Sequence, residues 1–171
     1  MKTILTLTDT DINAKASAVD HAGYKVREAA RAIVLDDDGR VALLWMELYQ
    51  GHKLPGGGID PGESIKQALE RELLEEIGCR AEIVSELGNV VEYRDEYRLR
   101  QTSYCFLAKK IGEQSESSFT EDELADGFRM VWVESIDMAI HRLEQEGSDA
   151  YVGEFMRLRD LALLKAAKAI H

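Results

Sequence analysis

The stretch Gly57–Cys79 reads GGIDPGESIKQALERELLEEIGC, and its reading decides most of what the chain can be. Two glycines open it and Pro61-Gly62 follows, so its first part is loop. From Glu63 to Ile77 the pattern turns helical, with Ile65, Leu69, Leu73 and Ile77 each recurring at i+4 and Ala68 and Leu74 beside them. Gly78 stands where a helix C-cap is expected. On that helix Glu72, Glu75 and Glu76 sit at i, i+3 and i+4, within about 100° of its circumference. Like charges so placed repel by only about 0.2–0.5 kcal/mol per pair in water, which an ordinary surface helix tolerates. A hard divalent ion gives them another use, because several carboxylates on a rigid element make an oxygen-rich Mg²⁺ site.

Working outward, Ala29–Leu35 and Arg40–Met46 read as strands around the polar turn Asp36–Gly39. The stretch 51–62 holds five glycines and both prolines of the chain. Downstream, Ala81–Val84, Val90–Arg94 and Tyr97–Ala108 read as strands, the last two a hairpin turning at Asp95-Glu96. A polar loop, 112–127, leads to a short strand, Met130–Val133. An amphipathic helix over 136–146 and a long closing helix over 153–170 complete the chain. Strands mixed with a few helices, not in strict alternation, indicate an α+β layered domain over 27–171. Residues 1–26 read as an N-terminal extension that adds a strand through Ile4, Leu5 and Leu7. Its Asp9, Asp11, Asn13 and Asp20 fall on calcium-loop positions, but Ala14 replaces the turn glycine and no helix pattern flanks them.

The 171 residues are 45% hydrophobic, enough for one buried core without disulfides. A net charge of -11 excludes the basic stripe that polymeric nucleic acid requires and disfavours anionic membranes. An anionic ligand would therefore need a cation to hold it. Cys79 and Cys105 have no metal-ligand spacing and read as buried thiols in a reducing cytoplasm. No run of eighteen apolar residues occurs, and Asp9 and Asp11 interrupt the apolar start too early for a signal peptide.

In register, Gly57, Glu63, Arg71, Glu72, Leu73, Glu75, Glu76 and Gly78 resemble the Nudix box, Gly-x5-Glu-x7-Arg-Glu-aliphatic-x-Glu-Glu-x-Gly-aliphatic. Cys79 in the last aliphatic slot is the one departure. The resemblance, to the MutT-like Nudix hydrolases, covers roughly Arg27–Glu146. It implies an α/β/α sandwich with a mixed central sheet, and hydrolysis of a nucleoside diphosphate linked to a further moiety. It also implies that the Gly57 carbonyl and Glu72, Glu75 and Glu76 hold Mg²⁺ or Mn²⁺, which neutralises the diphosphate and activates the attacking water. Arg71 and Glu63 then fix the loop against the helix. Family members differ in their general base, and Glu116, Glu121, Asp122, Glu123 and Asp126 all lie in the loop that carries it in some of them. Glu121 and Glu123 lead that group, with a box glutamate as the other choice.

Selectivity lies outside the box. The prolines that accompany ADP-ribose and NADH hydrolysis in the family are absent here, since Pro55 and Pro61 are the only two. Tyr97 falls near the tyrosine of dinucleoside polyphosphate hydrolases, although aromatic residues in strands commonly just pack. Arg94, Arg98, Arg100 and Gln101 form a local positive patch, and Arg27 and Arg31 are candidates for the cleft. The expected substrate is a small nucleotide, a nucleoside triphosphate, oxidised or not, contacted by Arg31, Tyr97 and Arg100. A dinucleoside polyphosphate hydrolase and a catalytically silent nucleotide-binding module are the alternatives. Tyr151, Phe155, Leu158, Leu161 and Leu164 make an apolar stripe on the closing helix, which covers the core or, alternatively, makes a homodimer.

Overall fold

β2 (Lys25–Leu35) is apolar from Ala29 onward except at Arg31, the composition of a strand covered on both faces. Side chains alternate, so Ala30, Ala32 and Val34 join one core layer while Ile33 and Leu35 join the other. Arg31 belongs by parity with Ile33 and Leu35. The structure, a computed structural model, describes residues 1–170; His171, the last residue of the expected domain, lies outside them.

Around β2 the chain builds one mixed eight-stranded sheet. β3 (Val41–Met46) runs antiparallel to β2 after a tight turn in which Asp36 Oδ1 accepts the amides of Asp38 and Arg40 at 3.0 and 2.8 Å. On the other side β7 (Leu99–Ile111) pairs parallel with β2, from Lys25 opposite Leu99 to Leu35 opposite Lys109. β6 (Arg80–Arg94) lies antiparallel to β7, and β1 (Thr3–Leu7) pairs parallel with β6. β4 (Gly51–Lys53) and β8 (Phe128–Val133) both pair with β3, while β5 (Gly56–Gly58) pairs with β2.

α2 (Ile65–Ile77) covers one face through Ala68, Leu69, Leu73 and Ile77. Each leucine or isoleucine so buried stabilises the fold by about 1.5–3 kcal/mol. α4 (Ile136–Gln145) and α5 (Tyr151–Lys168) cover the other face through residues such as Leu143, Phe155 and Leu163. The result is the layered α+β sandwich with a mixed sheet that the sequence implied. The apolar stripe of α5 packs on the chain's own core. Two short helices remain, α1 (Asp9–Ile12) and α3 (Glu121–Ala125). Among the described residues no helix is long and apolar enough to cross a membrane.

Several boundaries differ from the sequence reading. β6 is one continuous strand where two were expected. Within it Gly88, with φ +141° and the Lys2 carbonyl close by, marks an irregularity where β1 docks. Asp95–Tyr97 is a 3-10 turn, so β7 starts at Leu99 rather than Tyr97. The polar loop 112–127 contains α3. The helix expected from Glu63 starts at Ile65, because Ser64 caps it: Ser64 Oγ accepts the Gln67 amide at 3.3 Å and Gln67 Oε1 accepts the Ser64 amide at 2.9 Å.

Candidate active site

Three adjoining segments build the site: the Lys53–Gly58 loop, α2, and the end of the sheet beneath α5. Glycine is required in the loop because β5 lies close on β2. Gly56 has φ +125°, and a Cβ there would stand 2.7 Å from the Arg31 Cα and overlap the Ala30 carbonyl. A Cβ on Gly57 would overlap the Glu72 carboxylate.

α2 carries the carboxylates, and two cations hold them. Glu76 is 1% exposed; its Oε1 accepts Lys53 Nζ at 2.6 Å and its Oε2 accepts the Gly56 amide at 2.5 Å. Burial pushes its carboxyl up, against the pull of Lys53. Arg71 gathers the rest: its Nε and Nη2 reach Glu63 at 2.9 and 3.0 Å, Nη1 reaches Glu72 at 2.7 Å and Glu75 at 3.2 Å, and Nη2 also reaches the Gly58 carbonyl at 2.9 Å. That fork raises the Arg71 guanidinium, with Glu63 as the largest cause, and holds Glu63 below the usual carboxylate range. A depressed carboxylate gives stability that is fully present above its ordinary value of 4.5 and lost as the pH falls below it. Melting temperature should therefore fall as the pH is lowered through and below 4.5. Glu63→Gln should flatten part of that drop; an unchanged pH profile in this variant would show that the pair carries no such linkage.

A cavity of about 280 Å³ opens between these elements. It is lined by Glu72, Glu76 and Gly57 together with three cations, Arg27, Arg31 and Lys53. Glu123 and Asp126 close it from the α3 side, and Val152 and Met156 from α5. The loop before α3 is fastened to the end of α2. The Ser115 and Ser118 amides donate to the Gly78 and Glu75 carbonyls at 2.8 and 2.7 Å, and Ser117 Oγ donates to the Glu76 carbonyl at 2.8 Å. Helix-terminal carbonyls left without partners are thereby satisfied, and α3 is held beside the catalytic helix. One oxygen of Glu123, Oε2, accepts the Thr120 amide and hydroxyl at 2.9 Å each.

Beneath α5 the sheet is polar and buried. Arg159 and Asp160 are both fully buried and paired at 2.7 Å, and Asp160 Oδ2 also accepts the Leu54 amide at 2.9 Å. Arg159 faces Glu92 at 3.7 Å; Glu92 accepts Arg94 at 2.8 Å and Gln101 at 2.7 Å; Gln101 in turn accepts Arg27 Nη1 at 2.5 Å. Arg31, 4% exposed, donates Nη1 to the Gly56 carbonyl at 2.7 Å. Burial, with Arg159 adding to it, pulls its guanidinium down to about 10.

The structure thus brings together Glu72, Glu76, Gly57, Glu123 and Arg31, with Arg71 and Glu63 behind them. The arrangement differs from the expected one at three points. Glu75 is half exposed and shares Arg71 Nη1 with Glu72, while Glu76 is held by Lys53; among the described residues no three acidic, histidine or cysteine side chains gather as a metal cluster. The backbone carbonyl beside Glu76 and Lys53 is that of Gly56. Tyr97, 55% exposed and packed on Tyr151, and Arg100, exposed on β7, do not line the cavity. Parity explains Arg100: it neighbours Gln101, which faces α5, and so it points to the opposite side. Lys53, Gly56 and Tyr49, which also lines the cavity, were missed; the lone cation before the glycine run was the available signal for Lys53.

The donors fit a hard divalent cation. They are oxygens only, and Glu76 is a buried carboxylate that a cation would favour in its charged form.

A profile described as the NUDIX domain matches residues 25–157. Over 94 residues the chain is 33% identical to a putative 8-oxo-dGTP diphosphatase of Bacillus subtilis (strain 168), covering 55% of this chain and 60% of that protein. Over 130 residues it is 30% identical to an RNA pyrophosphohydrolase of Klebsiella pneumoniae (strain 342), covering 66% of this chain and 72% of the other. The chain thus spans less than two thirds of the first of these relatives. A NUDIX hydrolase structure from Nitrosomonas europaea superposes with a TM-score of 0.63 at 19% identity, over 85% of this chain and 90% of that one.

Proposed function

Because the chain belongs to the NUDIX family, we propose that it hydrolyses a diphosphate bond in a nucleoside diphosphate linked to a further group, with nucleoside triphosphates as substrates and a monophosphate and pyrophosphate as products. One observation carries the reading: a single cavity is lined by the buried Glu72 and Glu76 and by the cations Arg27, Arg31 and Lys53. The relatives named for 8-oxo-dGTP and RNA diphosphate cleavage support the same reaction class. In a chain of net charge -11, those local cations are what make the cavity hospitable to an anion.

Glu72, Glu76 and the Gly56–Gly57 backbone would hold Mg²⁺ or Mn²⁺, with Glu75 swinging in from Arg71 as a third carboxylate. A divalent ion held there would supply charge neutralisation of the diphosphate and Lewis-acid activation of water. Arg71 and Glu63 keep the loop at a fixed distance from α2, so that the carboxylates need little reorganisation. Glu123 is assigned the proton-accepting role from the α3 side, Thr120 orienting its carboxylate. The free, buried Cys79 and Cys105 suit a reducing cytoplasm.

A hydrolysis panel with Mg²⁺ and Mn²⁺ tests the substrate reading. Nucleoside triphosphates should be turned over with a higher kcat/KM than ADP-ribose or NADH. A panel in which ADP-ribose outpaces every triphosphate would overturn it.

A further inference from the structure

Of the four buried cations, three have a carboxylate partner and one, Arg31, has none among the described residues. Lys53 pairs with Glu76, Arg159 with Asp160 and Arg94 with Glu92. Arg31 has a backbone carbonyl and forms no ion pair among the described residues, and its Nε has no hydrogen-bond partner. A buried guanidinium without a carboxylate is costly, and a purely structural position would favour an apolar side chain, as at Ile33 and Leu35 on the same face of β2. Arg27 lies two pleat repeats away on that same face, beyond Ala29, at the mouth of the cavity. Its hydrogen-bond partner is the neutral Gln101 amide, which Glu92 holds in place, so its charge is also uncancelled by an ion pair.

We propose that Arg31 and Arg27 form an anion subsite distinct from the carboxylates, which takes a phosphate beyond the diphosphate being cleaved and selects substrates with three or more consecutive phosphates. The inference rests on the hydrolase reading above and adds the substrate class to it. Two guanidiniums offer forked N–H groups matched to the oxygens of one phosphate. A diphosphate flanked by two sugars, as in ADP-ribose, leaves them unpaired in a partly desolvated cavity, which is how a polar site rejects an analogue lacking the group it was built for.

The test is isothermal titration of the whole protein with inorganic tripolyphosphate and with ADP-ribose, in excess chelator, so that neither a divalent ion nor turnover contributes. Tripolyphosphate should bind, and more tightly than ADP-ribose. Arg31→Gln should weaken that binding by about tenfold or more. Arg27→Gln, exposed at the mouth, should weaken it less and serves as the probe if the buried variant fails to fold. Tripolyphosphate that does not bind, or that binds these variants as it binds the parent protein, would refute the subsite. That result leaves hydrolysis in the metal-supplemented panel untouched, so the two readings fail separately.

Discussion

Glu76→Gln lowers turnover by about a hundredfold to a thousandfold, as expected when a charged donor to a catalytic cation is neutralised. The structure adds a second consequence. Glu76 is also the carboxylate partner of Lys53, which is 7% exposed. The amide keeps one acceptor oxygen but loses the charge, leaving a buried ammonium without a counterion and costing about 1–3 kcal/mol of stability. Catalysis and stability are separable in Lys53→Met/Glu76→Gln. Removing both partners of a buried pair is close to neutral, so melting temperature should recover while turnover stays low. Near-native turnover in the single variant would show that Glu76 serves the fold alone.

Arg71→Ala acts on the opposite balance. It removes five hydrogen bonds at once, to Glu63, Glu72, Glu75 and the Gly58 carbonyl. Three carboxylates then face one another across a half-open groove. With Arg71 29% exposed, water recovers part of the loss, leaving about 2–4 kcal/mol of destabilisation. For a chain of this size that corresponds to a fall of about 5–10 °C in melting temperature. Because the loop no longer sits at a fixed distance from α2, kcat/KM should fall a further tenfold to hundredfold, the usual cost of losing a group that orients metal ligands. Arg71→Lys should rescue little, since one ammonium cannot reproduce the fork. A variant with an unchanged melting curve would contradict the hub role.

Local signals made part of this legible in the sequence. The i+4 recurrence from Ile65 to Ile77 marked α2 and its apolar face, and the glutamate spacing marked its chemistry. What stayed hidden depends on approach between distant segments. Gly56 rather than Gly57 turns its carbonyl to Lys53 because β5 lies against Ala30 and Arg31, a contact no local pattern encodes. Glu75 does not line the cavity although it lies on the same stretch of α2 as Glu72 and Glu76, and the sharing of Arg71 between Glu72 and Glu75 shows only in the fold. The continuity of β6 through Gly88 depends on the docking of β1, which no local pattern shows. Strand parity could have favoured Arg27 and Arg31 over Arg100, had the register of β7 been known. The buried chain from Asp160 through Glu92 to Gln101 joins residues far apart in sequence, and only the closing of α5 over the sheet reveals it.

The most direct test of the central claim follows ³¹P resonances during turnover of a nucleoside triphosphate with Mg²⁺, before and after addition of excess chelator. The account predicts monophosphate and pyrophosphate in equal amounts, and arrest on chelation. Diphosphate with orthophosphate as products, or turnover that continues at full rate in chelator, would contradict it.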